Sequence, residues 1–218
     1  MALGEKKIRE FLMEMEIIGP GKPGYRPFHG GALFLFENRS DMNPPESQLW
    51  ILVCGLPGTG KTTVAKALAA ALGAAHGNTD QVRARLGLMG HYHAADKAKV
   101  YDTLLEQARQ WVQDGRVVVI DATFSRPEMR LRWHQAAADL GVMIRWIEIR
   151  ADESVVRQRV RQTRPDSEAD EAVYEQIRSE WSPLPDEHLV LRSDEDDLPA
   201  LVRQALDWLH LDPTNPDT

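Results

Sequence analysis

Leu49-Trp50-Ile51-Leu52-Val53-Cys54-Gly55-Leu56-Pro57-Gly58-Thr59-Gly60-Lys61-Thr62-Thr63 is the stretch that decides the fold. Its first six residues are apolar without alternation, the pattern of a parallel strand buried on both faces. Residues 55–62 then match the Walker A pattern, two glycines with four residues between them, followed by Lys-Thr. Glycines let the backbone curl so that successive N–H groups point at phosphate oxygens. From Lys61 to Leu72 the chain turns alanine- and leucine-rich, so the loop opens onto a helix whose N-terminus favours anions. Lys61 adds a positive charge for β- and γ-phosphates, and Thr62 offers a hydroxyl to Mg²⁺. Gly55, Pro57, Gly58, Thr59, Gly60, Lys61, Thr62 and Thr63 form the expected nucleotide-phosphate site. Kinases, ATPases and GTPases share this loop, so it leaves the reaction open.

Outward from the loop, strand and helix patterns alternate. Ala98–Asp114 is a helix closed by Gly115. Arg116–Asp121 is a second buried strand, Pro127–Leu140 a helix closed by Gly141, and Val142–Ile149 a third strand. Asp152–Gln162 and Ser167–Trp181 are helical. HLVLRS is a short strand, and Leu198, Leu201, Val202, Ala205, Leu206 and Leu209 lie at helical spacing. Such alternation predicts an α/β architecture with a mainly parallel sheet flanked by helices. Residues 49–211 form the predicted domain, and residues 212–218 a tail. Residues 1–48 read as an N-terminal extension: a helical pattern over Glu5–Glu16, a short strand at Ala32–Phe36, and a linker signal, NRSDMNPPES.

Three further clusters carry chemistry. Asn78-Thr79-Asp80-Gln81-Val82-Arg83 follows the loop's helix, where the next strand of a parallel sheet ends at the ligand-binding edge. Asp80 there can accept a hydroxyl proton, and Arg83, one turn on, can bind a phosphate or carboxylate. The alternative is a helix N-cap aspartate with a solvated arginine. Val117–Ile120 ends in Asp121-Ala122-Thr123, so Asp121 is either a Walker B-type carboxylate that holds Mg²⁺ or a strand-end turn residue. Arg157, Arg159, Arg161 and Arg164 form an arginine segment. Arg157 and Arg161 share a helix face and can close over a transferring phosphoryl group; Arg159 points away and suits a solvated face.

The chain has 218 residues with 15 glycines, 13 prolines and one cysteine, which excludes a collagen-like chain and an internal disulfide. No apolar run is long enough for a transmembrane helix, and the acids among Met1–Ile17 make a poor signal peptide, so a cytoplasmic protein without membrane contact is expected. The net charge of −7 is uneven. From Ser193 onward seven acids face one base, leaving −1 for the rest, whereas Arg126–Arg164 holds nine bases against five acids. Net charge therefore does not exclude a phosphorylated or nucleic-acid substrate.

Taken together, GLPGTGKTT, TDQVR, VYDTLLEQARQWVQDGRVVVIDATFSRPEMR and VVRQRVRQTRPDSEADEAVYEQ resemble the small P-loop kinases. This branch holds polynucleotide 5′-kinases, gluconokinase-like sugar kinases and zeta-toxin-like kinases. The resemblance runs from about Leu49 to Ser193. It implies a three-layer P-loop NTPase fold and an ATP- and Mg²⁺-dependent transfer to a hydroxyl. By position, Lys61 and Thr62 would serve ATP and Mg²⁺. Asp80 would be the general base and Arg83 an acceptor ligand. Asp121 would support the metal and the acceptor pocket, with Thr123 nearby and Arg130 also on the acceptor side. Residues 152–170 would be a lid in which Arg157 and Arg161 contact phosphate. The chain departs from the family at Ala74-Ala75-His76-Gly77-Asn78, where the second strand is usually apolar. The acceptor is expected to be a small molecule, since no separate basic or aromatic nucleic-acid module is present; a nucleic-acid 5′-hydroxyl is the competing acceptor. A regulatory nucleotide switch is the competing class. Against it stand the lack of a guanine-specificity motif and of a second acid after Asp121. No obligatory protein partner is evident.

Other residues are set aside. His91-Tyr92-His93 lacks the companions of a zinc site and is either a surface loop or part of the acceptor pocket. Cys54 sits in a buried strand and should be inert. Trp111, Trp133, Trp146, Trp181 and Trp208 should be core or near-core.

Overall fold

The computed structural model describes residues 48–91, 93–161, 171–184 and 187–210. Residues 1–47 of the N-terminal extension, Tyr92, Arg164 and the tail lie outside the described residues. In chain order the elements are β1 (Leu49–Cys54), α1 (Lys61–Leu72), β2 (Ala75–Asn78), α2 (Thr79–Leu86), α3 (Ala94–Gln113), β3 (Val118–Asp121), α4 (Pro127–Leu140), β4 (Met143–Arg150), α5 (Glu153–Val160), α6 (Glu171–Ser179), β5 (Leu189–Arg192) and α7 (Leu198–His210).

The five strands form one parallel sheet in the order β2-β3-β1-β4-β5. The apolar run of β1 has a direct cause, because its residues face two cores in alternation. Trp50, Leu52 and Cys54 pack with Val100, Leu104, Phe124, Trp133 and Trp146 beneath α3 and α4. Ile51 and Val53 pack with Val64, Leu68, Leu201 and Ala205 beneath α1 and α7. Two helical layers therefore sandwich the sheet, the three-layer P-loop NTPase architecture. Trp133 and Trp146 are buried, and Trp111, Trp181 and Trp208 pack partly buried against the cores.

β2 lies where the second strand was expected, despite its departure from an apolar pattern. AHGN has no apolar periodicity, yet it pairs along its length with β3. Small residues are required because α3 crosses closely: a Cβ on Gly77 would come within 2.9 Å of Leu104 Cδ1 and 3.0 Å of Trp111 Cζ3.

The chain leaves β1 into α1 on one face and leaves β3 into α4 on the other. The crevice between the carboxyl ends of these neighbouring strands is the place where open α/β sheets bind ligands. No helix among the described residues is long and apolar enough to cross a membrane.

Candidate active site

The loop after β1 owes its shape to glycine. Gly55 adopts φ +145, and a Cβ there would lie 2.4 Å from the Ile149 carbonyl oxygen. Gly58 adopts φ +85, and a Cβ would strike Val160 Cγ1 at 2.8 Å, so the loop packs directly on α5. Thr59 folds inward, its hydroxyl donating to the Leu56 carbonyl at 2.8 Å. Lys61 arches back over the loop, with Nζ 3.5 Å from the same carbonyl. Thr63 is exposed on the first turn of α1.

A latch holds the loop from outside. Ser193, just after β5, donates its hydroxyl to the Thr59 carbonyl at 2.6 Å. Arg159 of α5 donates to Ser193 Oγ at 2.9 Å, to the Ser193 carbonyl at 3.1 Å and to the Gly58 carbonyl at 3.4 Å. The solvated face expected for Arg159 is therefore corrected: this arginine, and not its neighbours, grips the phosphate loop. Arg157 and Arg161 turn to carboxylates. Arg157 donates to Glu153 at 2.9 Å, to Glu171 at 3.0 Å and to Glu175, and Arg161 donates to Glu171 at 3.1 and 3.2 Å. Arg178 closes this network with two bonds of 2.8 Å to Glu153. The two arginines expected over the phosphates thus tie α5 to α6, and residues 162–170 of the expected lid lie outside the described residues.

One cavity at the sheet edge brings together residues from distant segments. Pro57, Lys61 and Thr62 line it from the loop, Asp80 and Arg83 from α2, and Asp121 and Thr123 from the end of β3. Asp80 is not the helix cap, because Asn78 accepts the Gln81 N–H at 2.8 Å and caps α2 itself. That leaves the Asp80 carboxylate on the cavity wall. The Asn78 amide also donates to Asp121 Oδ2 at 3.2 Å. Asp121 is 2% exposed, and its other oxygen, Oδ1, is buried without a hydrogen-bond partner. A buried orphan carboxylate oxygen calls for a ligand. With the Thr62 hydroxyl on the same cavity it supplies the hard oxygen donors that suit Mg²⁺, which keeps waters and substrate phosphates as its other ligands. These residues fit the ion.

Thr123 is held by Tyr101 of α3, whose hydroxyl lies 3.1 Å from Thr123 Oγ1 and accepts the Phe124 N–H at 3.2 Å. Phe124 stands at φ +49, a left-handed conformation that β-carbon residues avoid. Edge-to-face packing against Tyr101, Trp133 and Trp146 holds it there. The strain lies one residue from the cavity wall, as backbone strain at ligand sites often does.

Arg130 is not in the cavity. It is 5% exposed, with its guanidinium on backbone carbonyls: Phe124 at 2.7 Å, Pro183 at 2.6 Å, Ser125 at 3.2 Å, and Ser182. It ties the β3–α4 turn to the segment after α6, which corrects its placement beside the acceptor. His91 is exposed and sits 3.7 Å from Asp96, while its backbone carbonyl accepts from Arg83 at 2.6 Å. Cys54 is buried against the Ile147 carbonyl, and burial pushes its thiol up, as expected of an inert cysteine.

Sequence reading missed Lys97 and Tyr101 of α3 and Val173, Gln176 and Ile177 of α6, which complete the cavity wall. Lys97 and Tyr101 stand four apart, so one face of α3 is turned to the site. Lys97 Nζ lies 3.5 Å from Glu180, which also holds Arg126 through bonds of 3.0 and 2.8 Å. Burial lowers the Lys97 pKa; Glu180 opposes this, while Arg126 and Arg83 push the same way.

The family model described as AAA domain matches residues 50–184, more than half of the chain. The chain belongs to this family. Uncharacterized proteins of Mycobacterium bovis and Mycobacterium tuberculosis are 38% identical over 100 residues, 40% of this chain. The match spans only 20% of their length, so the chain covers a fifth of these relatives. Among solved structures, a sugar kinase from Janibacter has a TM-score of 0.62 at 16% identity, covering 76% of this chain and 96% of its own. APS kinase from Mycobacterium tuberculosis, solved with AMPPNP and APS, has a TM-score of 0.60 at 19% identity, covering 76% and 99%. A gluconokinase from Sinorhizobium meliloti has a TM-score of 0.58 at 19% identity, covering 76% and 93%. At these identities the likeness is one of fold: the chain has the fold of the small P-loop kinases.

Proposed function

We propose that this AAA-domain protein is an ATP- and Mg²⁺-dependent phosphotransferase that moves the γ-phosphate of ATP to a hydroxyl of a small molecule. The observation that carries this reading is the convergence of Lys61, Thr62, Asp80, Arg83, Asp121 and Thr123 on one cavity. A hydrolytic switch needs a positioned water; this cavity also carries polar groups beyond the phosphate loop, on α2 and α3, that a second substrate would meet. The structural neighbours, a sugar kinase, an APS kinase and a gluconokinase, support the same class.

The loop N–H groups and Lys61 hold the triphosphate. Thr62 and Asp121 would hold Mg²⁺, which when bound offsets charge on the β- and γ-phosphates. Asp80 accepts the proton of the acceptor hydroxyl as its oxygen bonds to the γ-phosphorus and the bridge to the β-phosphate breaks, leaving ADP. Positioning and electrostatics supply most of the rate in such transfers. Arg157 and Arg161 could act as lid residues only by exchanging Glu171, Glu153 and Glu175 for phosphate oxygens. Arg159 acts on the loop itself.

The test is labelled ATP with a panel of sugar acids, nucleosides, other small alcohols and 5′-hydroxyl oligonucleotides. Transfer to a small alcohol is expected, and Asp80→Asn should lower it by about 10²–10⁴-fold while ATP still binds. Near-wild-type turnover in that variant would remove Asp80 from the mechanism. Hydrolysis insensitive to every acceptor would replace the kinase reading with a switch.

A further inference from the structure

Tyr101 and Thr123 both line the cavity and share one hydrogen bond, with 3.1 Å between Tyr101 Oη and Thr123 Oγ1. Two hydroxyls bring two hydrogens, and the bond between them uses one. The surroundings of the phenol set the direction of that bond. Tyr101 is 4% exposed, and its oxygen already accepts the Phe124 N–H at 3.2 Å. An amide nitrogen takes no hydrogen in return, so Thr123 Oγ1 is the acceptor at hand for the phenol hydrogen. A buried donor left unmade is costly. The phenol is also the more acidic of the two hydroxyls, which favours the same direction. Burial raises the Tyr101 pKa, which keeps that hydrogen on the phenol. Thr123 is half-buried on the cavity wall, so its own hydrogen is left for whatever the cavity holds.

We propose that Tyr101 is a positioning residue for the transfer: by donating to Thr123 Oγ1 it makes Thr123 a one-way donor to an oxygen of the bound acceptor. This rests on reading the cavity as an acceptor pocket. Thr123 is tied to α3, which covers the opposite face of the sheet from α1 and its Thr62. Its hydrogen therefore serves the acceptor side and not the metal side. The phenol does two things through one oxygen. Its lone pair holds the Phe124 N–H in a turn where Phe124 stands at φ +49, and its hydrogen fixes the Thr123 hydroxyl. A threonine hydroxyl left to rotate can donate or accept as its neighbour suits. Held by Tyr101, it is a donor aimed before the ligand arrives, which is what preorganisation requires. An acceptor with an oxygen lone pair at this point is favoured over one that presents an ammonium there. Tyr101 and Thr123 stand 22 residues apart, on a helix and after a strand, so spacing alone does not pair them.

The direction of the bond is tested without any acceptor. The full chain, labelled with ¹³C at tyrosine Cζ and threonine Cβ, is followed by NMR in mixed H₂O and D₂O. A hydroxyl hydrogen donated within the protein exchanges slowly and splits its carbon signal, whereas one facing the cavity averages to a single line. Tyr101 should split and Thr123 should not; the reverse pattern overturns the proposal. The role is tested with labelled ATP and the panel of sugar acids, nucleosides and other small alcohols. Thr123→Val should lower kcat/KM for the best acceptor by about tenfold or more, and Tyr101→Phe by about fivefold, with AMPPNP affinity held within about twofold. Thr123→Ser keeps the hydroxyl and should stay within about threefold of wild type. In a Thr123→Val background Tyr101→Phe should cost nothing further, since the hydroxyl it orients is gone. Additive losses in that double variant mean that Tyr101 only packs, and they overturn the positioning role while the kinase reading stands. Should Tyr101→Phe fail to fold, the labelled wild type and the two Thr123 variants decide: wild-type turnover in Thr123→Val overturns the proposal. Absence of transfer to every alcohol overturns the kinase reading and with it the acceptor role, whatever the labelled hydroxyls show.

Discussion

Arg130 and Asp121 are both buried charges within a few residues of the same turn, and they are treated in opposite ways. Arg130 has its guanidinium on the carbonyls of Phe124, Ser125, Ser182 and Pro183. Asp121 has one oxygen on Asn78 and the other without a hydrogen-bond partner among the described residues. Proteins seldom leave a buried acceptor unmade, because an unsatisfied buried group costs about 1–3 kcal/mol. The two charges thus differ in how far the protein itself satisfies them, and the proposed function assigns the less satisfied one to the metal. Two substitutions set this contrast at its sharpest. Arg130→Met should destabilise the fold by about 3 kcal/mol or more, since several carbonyls lose their donor together; urea denaturation measures it, and a loss below about 1 kcal/mol would mean the cage is dispensable. Asp121→Asn should do the reverse. Phosphoryl transfer should fall by about 10²–10³-fold, as when one preorganised charge-stabilising group is removed, with the urea midpoint nearly unchanged. If Asp121→Asn unfolds the protein while transfer per folded molecule persists, the orphan oxygen is an accident of packing.

The same contrast divides the arginine segment. Spacing shows that Arg157 and Arg161 share a face, and it shows nothing of which face meets the phosphate loop. That depends on partners 34 and 101 residues away, Ser193 and Gly58, which only the parallel sheet brings alongside α5. Buried strands were legible because burial on both faces demands apolar side chains, as in β1 and at Val118–Ile120. β2 was expected from the order of the fold rather than from an apolar run, because α3 demands small residues there. The loop follows the end of β1, Asp121 and Thr123 stand at the end of β3, and Asp80 and Arg83 lie in the first turns of the helix directly after β2, so local sequence places them on one cavity. Arg130 and Lys97 stand inside helices, where only the packing of neighbours decides between a cage and a cavity.

The latch yields a smaller effect. Ser193→Ala removes one donor to Thr59 and one acceptor for Arg159 while leaving the loop glycines in place. A net hydrogen bond contributes about 1 kcal/mol, so nucleotide affinity should weaken by about fivefold, read by fluorescence titration with a labelled ATP analogue. Arg157→Gln should leave that affinity within about twofold, since its partners are the carboxylates of α5 and α6. The opposite ranking would return Arg157 to the phosphates and make Arg159 the tether.

The smallest effect belongs to the exposed side of the comparison. Glu180 is drawn down from 4.5 to about 2, first by the Arg126 hydrogen bond, with Gln176 and Lys97 adding to it. A carboxyl with a depressed native pKa binds fewer protons folded than unfolded, so its contribution to stability is complete above about pH 4.5. That contribution is lost as the pH falls from 4.5 toward 2. Glu180→Gln should therefore flatten the acid limb of the stability curve over that window and change little at pH 7 beyond the lost ion pairs. Because Arg126 is solvent-exposed, water and salt screen the interaction, and the difference between the two curves should shrink at high ionic strength. A difference that survives in 1 M salt would mean that the Lys97 side of Glu180 dominates, because that contact lies against the cavity and is shielded from counterions. Glu180 would then act chiefly as the partner of Lys97, with Arg126 secondary.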